Sequence, residues 1–181
     1  MVDGARSDIR RVEYPVTGAS ALGIGAALAT LGPARGDAVH AAYTQWTLAW
    51  RVDPRPGSSG STWTAVVDLR LEAIVHLPRW VAPPWAPREL RTAWEVYHRA
   101  LEAHEHGHLE IASAAGVELG SLLRGLVAPS ERALLLEATA VAARVEAAAR
   151  DRETAYDNEE RCSFRSWERV AVDAGLMEER R

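Results

Sequence analysis

His104-Glu105-His106-Gly107-His108 reproduces the pattern H-E-x-x-H. On a helix, side chains four residues apart share a face, so the two outer imidazoles can reach one ion. Glu105 is turned about 100° away and meets a water on that ion rather than the ion itself. Neutral imidazole suits zinc, which keeps an open position for water in catalytic sites. The metal acidifies that water and polarises a carbonyl, while Glu105 takes the proton and returns it to the leaving amine. These residue types at this spacing therefore predict peptide-bond hydrolysis, with a peptide or protein as substrate.

Nearby patterns fail as alternatives. His106 lies on another face of the helix. His104-Glu105-His106 as the H-x-E of a zinc deaminase needs a cysteine pair, and the chain has one cysteine, Cys162. Gly23-Ile24-Gly25 lacks the third glycine and the flanking strand of a dinucleotide loop. The metal needs a third ligand. Glu118 lies about 15 Å along the axis from His108, too far to serve. Ala114 occupies the place of a metzincin's third histidine. Glu146, Glu153, Asp157, Glu159, Glu160 and Cys162 remain, and helical periodicity does not choose among them.

The positioning elements follow from hydrophobic period. Val12, Tyr14 and Val16 alternate with more polar residues and predict a short first strand. Ser20 can cap a small Ala-rich helix that Gly32-Pro33 stops. Trp46, Leu48, Trp50 and Val52 form one face of a second strand, and Asp53 to Ser61 reads as a hairpin loop. The third strand, Thr62 to Leu77, has the strongest alternation, from Trp63 through Leu69 and Leu71 to Leu77 on one face. It is the sequence's candidate for a sheet edge that pairs with substrate. A loop with Pro78, Pro83, Pro84 and Pro87 holds Trp80 and Trp85, read as cleft walls.

After Pro87 the period becomes helical: Leu90, Trp94, Tyr97, Leu101, His104, His108, Ile111 and Ala115 form one stripe, so both histidines face the core. Burying them there without partners would be costly. Ser130 caps a second helix with Leu134, Ala138, Val141, Val145 and Ala148 on its buried face. A charged tail follows, anchored by Tyr156, Phe164, Trp167, Val170 and Met177. The expected architecture is α+β in a single domain over 1–181. It has an antiparallel sheet over about 11–77, the metal helix over about 88–124, and a second helix over about 130–155.

Bulk properties narrow the partners. The 181 residues carry 48% hydrophobic and 25% charged side chains, as ordinary globular domains do. The net charge of -4 and the absence of a basic patch exclude nucleic acid as an expected partner. The uncharged stretch from Tyr14 to Ala34 follows Arg10-Arg11, yet Asp3, Asp8 and Glu13 precede it and Pro15 and Pro33 break it. It reads neither as an export signal nor as a membrane span. A single cysteine fits a reducing compartment, so a cytoplasmic location is expected, with secretion as the alternative. Oligomeric state is not legible.

Several short stretches resemble the predicted zinc-dependent proteases grouped as domain of unknown function 922. Tyr14-Pro15-Val16-Thr17-Gly18 is similar to that family's opening strand and turn, Thr44-Gln45-Trp46 to its Thr-x-Trp strand, and Leu77-Pro78-Arg79-Trp80 to its strand exit. Trp94, Tyr97 and the HEHGH run resemble its metal helix. The family closes with Tyr-Asp-x-x-Thr-x-His-Gly, and Tyr156-Asp157 keep its first two residues. Glu160, Cys162 and Ser163 stand where threonine, histidine and glycine are expected. The resemblance implies a zincin-like metal site with Asp157 as first choice for third ligand and Cys162 as second. It also implies Tyr156 as a donor to the oxyanion. The altered closing segment motivates an alternative, a non-catalytic binding protein in which zinc is structural or the site has decayed.

Overall fold

A computed structural model of the protein describes residues 6–35, 38–58, 60–163 and 166–178, without the side chains of Arg35 and of 160–163. Phe164 lies outside the described residues. The chain is α+β, with a sheet in its N-terminal half followed by two long helices. Strands β1 (Arg6–Val16), β2 (Ala34–Arg35), β3 (Ala38–Val39), β4 (Tyr43–Pro56) and β5 (Trp63–Trp80) come first, with helix α1 (Ala21–Leu31) between β1 and β2. Helix α2 (Arg88–Arg124), strand β6 (Val127–Ala128), helix α3 (Glu131–Ser163) and helix α4 (Trp167–Asp173) complete it.

The main sheet runs β1-β5-β4, and β6 pairs antiparallel with the start of β5. This corrects the expectation that the third strand is an edge. At 18 residues β5 is long enough to carry β1 and β6 as well as β4, so its backbone is flanked on both sides. The outer positions fall to β1 and β4. The hairpin connection is also tighter than its turn-rich composition suggests. β4 continues through Pro56, and the Gly57 amide donates to the Thr62 carbonyl at 2.7 Å.

Local signals account for the helix boundaries. Ser20 Oγ accepts the Gly23 amide at 3.2 Å, and Ser130 Oγ accepts that of Ala133 at 3.2 Å, each a side-chain N-cap. α2 begins after Pro87 with Glu89 in its first turn and Arg124 in its last, both favourable to the helix dipole. α3 runs on to Ser163, beyond its apolar stripe, because Ala, Arg and Glu are strong helix formers. Arg152 on α3 also pairs with Glu118 on α2 at 3.0 Å.

Packing divides the chain into two compact units. One is built on Trp46–Ala73 and His108–Asp157. Its core joins Leu48 and Val52 of β4, Leu69 and Leu71 of β5, Leu119 and Leu123 of α2, and Leu134, Val141 and Val145 of α3. Ala112, Ala115 and Gly116 keep the helix surface low, so that a Cβ on Gly116 would stand 3.3 Å from Leu48. The other unit is built on Arg10–Gln45, Ile74–Gly107 and the residues from Asn158 on. Val16, Ile24, Leu77, Leu90, Tyr97 and Leu101 are buried there, with Trp167 and Val170 of α4. The Trp167 indole donates to the Ala21 carbonyl at 2.7 Å and packs edge-on against Trp94 and Tyr97. Trp80 is likewise an anchor rather than a cleft wall, since its indole donates to the Gly18 carbonyl at 2.9 Å and its ring lies against Trp94. Trp85 is 76% exposed. No helix among the described residues is long and apolar enough to cross a membrane.

Candidate metal centre

His104 and His108 stand one turn apart on α2, half-buried and buried respectively, while His106 is exposed. Their spacing on a continuous helix sets both imidazoles on one face. α3 brings Asp157 to the second of them, with Oδ1 3.1 Å from His108 Nε2. One ligand atom from each of His104, His108 and Asp157 falls in a group whose members all lie within 4.8 Å of one another. These three residues could hold a metal ion.

Three further side chains shape the surroundings. Glu105 is 3% exposed, and the Thr44 hydroxyl on β4 donates to its Oε2 at 2.6 Å. A carboxylate so deeply buried needs such a donor to offset the loss of water. Glu153 sits one turn before Asp157 on α3. Its Oε1 lies 3.5 Å from His108 Nδ1, the other nitrogen of the ring that Asp157 faces, and accepts the Trp46 indole N–H at 2.7 Å. Tyr156 lies edge-on to His108, with ring centroids 5.2 Å apart.

The candidates for a third ligand therefore separate. Asp157 joins the histidines, and Glu153 approaches His108 from the opposite side. Glu146 pairs with Arg150 at 3.5 Å, and Glu159 is exposed. The side chains of Glu160 and Cys162 lie outside what is described. Sequence reading offered Glu153 only as one of six candidate ligands and gave Thr44 no role at the site. Their signals were present in the period-2 pairing of Thr44 with Trp46 and the one-turn spacing of Glu153 from Asp157.

The fold and the cluster thus define an α+β protein with two histidines of an H-E-x-x-H helix and an aspartate from a second helix in one place. The model of a family of bacterial proteins of unknown function, DUF922, matches residues 12–164, and the chain belongs to that family. The matched span contains every residue of the cluster and its surroundings. No curated protein and no solved structure matches the chain.

Proposed function

We propose that the protein is a zinc-dependent metallopeptidase of zincin type, in which His104, His108 and Asp157 hold the ion and Glu105 is the general base. The observation that carries this reading is the grouping of those three donors beside a buried glutamate that directly follows the first histidine. The donor set fits zinc, which accepts imidazole nitrogen and carboxylate oxygen. Donors about 2.1 Å from a tetrahedral ion stand ~3.4 Å apart, close to the 3.1 Å between His108 Nε2 and Asp157 Oδ1. Zinc bound there would supply Lewis acidity toward water and the substrate carbonyl.

The chain's own residues supply the rest. Thr44 holds one carboxylate oxygen of Glu105, which fixes the plane of a base that must take a proton from water and release it to the leaving amine. Tyr156, beside His108, is the candidate donor to the oxyanion. An extended peptide would pair with β4, the outer strand that carries Thr44 and Trp46, and not with β5. The Asp157 side chain is 46% exposed, which leaves an approach for substrate. A structural zinc site, the alternative, would be closed by a fourth protein ligand. A reducing, cytoplasmic setting belongs to this reading and rests on the single cysteine.

Glu105→Gln tests the mechanism. The variant should keep its zinc and lose at least about a hundredfold in the rate of cleaving a library of unstructured peptides. Cleavage at the wild-type rate would remove Glu105 from the chemistry.

A further inference from the structure

His108 has a carboxylate at each ring nitrogen, and the two carboxylates are not equivalent. Asp157 faces Nε2 at 3.1 Å and belongs to the group of donors. Glu153 faces Nδ1 at 3.5 Å and is itself held at 2.7 Å by the Trp46 indole. An indole N–H only donates, so this bond fixes a carboxylate oxygen in place. A carboxylate behind one nitrogen of an imidazole draws the ring proton to that side and leaves the lone pair on the other. Metal-binding histidines characteristically have such a partner, which sets ring orientation and raises ligand basicity.

We propose that Glu153, fixed by Trp46, is the positioning residue that presents His108 Nε2 to the metal. The role rests on the metal-centre reading and deepens it. It also gives the Thr44-Gln45-Trp46 strand a purpose beyond packing. Residues 44 and 46 project from the same side of β4. Thr44 bonds the Glu105 carboxylate and Trp46 bonds the Glu153 carboxylate. A single strand thereby orients the base and, through Glu153, a ligand.

The test uses the full chain with Glu153→Ala, Glu153→Gln and Trp46→Phe. Zinc affinity is read by competition with a chromophoric chelator, ligand geometry by the visible spectrum of the cobalt-substituted protein, and folding by circular dichroism. Glu153→Ala should bind zinc about 10- to 100-fold more weakly and alter the cobalt spectrum. Glu153→Gln, which keeps an acceptor oxygen but no charge, should recover part of that loss. Trp46→Phe should weaken binding by about threefold or more while remaining folded. If Glu153→Ala does not fold, the glutamine and phenylalanine variants carry the test. Wild-type zinc affinity and an unchanged cobalt spectrum in the folded variants would overturn the positioning role alone. A wild-type protein that binds no zinc would overturn the metal-centre reading and this role with it.

Discussion

At the scale of single residues, the proposed chemistry depends on which groups meet each polar side chain. His108 meets Asp157 and Glu153, and Glu105 meets Thr44. The H-E-x-x-H pattern made the histidines and the glutamate legible from sequence, because spacing along one helix translates directly into a shared face. Asp157 was reachable only through the resemblance of Tyr156-Asp157 to a family segment. Its partner lies on another helix, and no periodicity within α3 distinguishes it from Glu146 or Glu159. Two phenols outside the site supply a residue-scale prediction. Burial pushes the Tyr14 hydroxyl up to about 12, and burial first, then the negative charges of Tyr14 and Glu168, push that of Tyr97 up as well. A raised folded pKa means the native state keeps its proton after the unfolded chain has lost it. This contribution is complete below the unfolded value near 10 and fades as pH rises through about 12. Thermal melts should therefore fall between those values. Tyr14→Phe should be less stable at neutral pH, having lost its 2.6 Å bond to the Ala41 carbonyl, but flatter across the alkaline window. Equal slopes in the two proteins would contradict the assignment.

At the scale of elements, α2 carries two of the candidate ligands together with part of the core. Its first half presents Leu90, Trp94, Tyr97 and Leu101, and its second half presents Ala112, Ala115, Leu119 and Leu123. Leu119 is fully buried among residues of β4, β5 and α3. Leu119→Ala should cost about 2–5 kcal/mol of stability, while Val117→Ala, at an exposed position of the same helix, should cost less than about 0.5 kcal/mol. Denaturant midpoints check both. Comparable losses at the two positions would mean that the packing face is misplaced. The long elements were legible because an apolar stripe over many turns, or an alternation as sustained as that of β5, has no competing interpretation. The short ones were not. β2, β3 and β6 are two residues each, too brief to show a period: β2 and β3 exist through pairing with each other and β6 through pairing with the start of β5. Sheet order escaped for the same reason, since nothing within β5 reveals that strands lie on both sides of it. α4 hid in a charged tail because only Trp167, Val170 and Ala171 mark its buried side.

At the scale of the whole molecule, membership of a family without assigned activity leaves function to rest on the cluster. The α+β order of sheet then long helices followed from composition and period. The grouping of donors required the tertiary meeting of α2 with α3. The central claim is that this grouping is a metal centre, and the zinc content of purified protein by elemental analysis tests it most directly, beside His104→Ala and Asp157→Ala. About one zinc per chain is expected in the wild type, with loss from the histidine variant and a weakened, chelator-sensitive site in the aspartate variant. A folded wild-type protein without metal, unchanged by added zinc, would mean that His104 and His108 are packing residues and would contradict the peptidase reading.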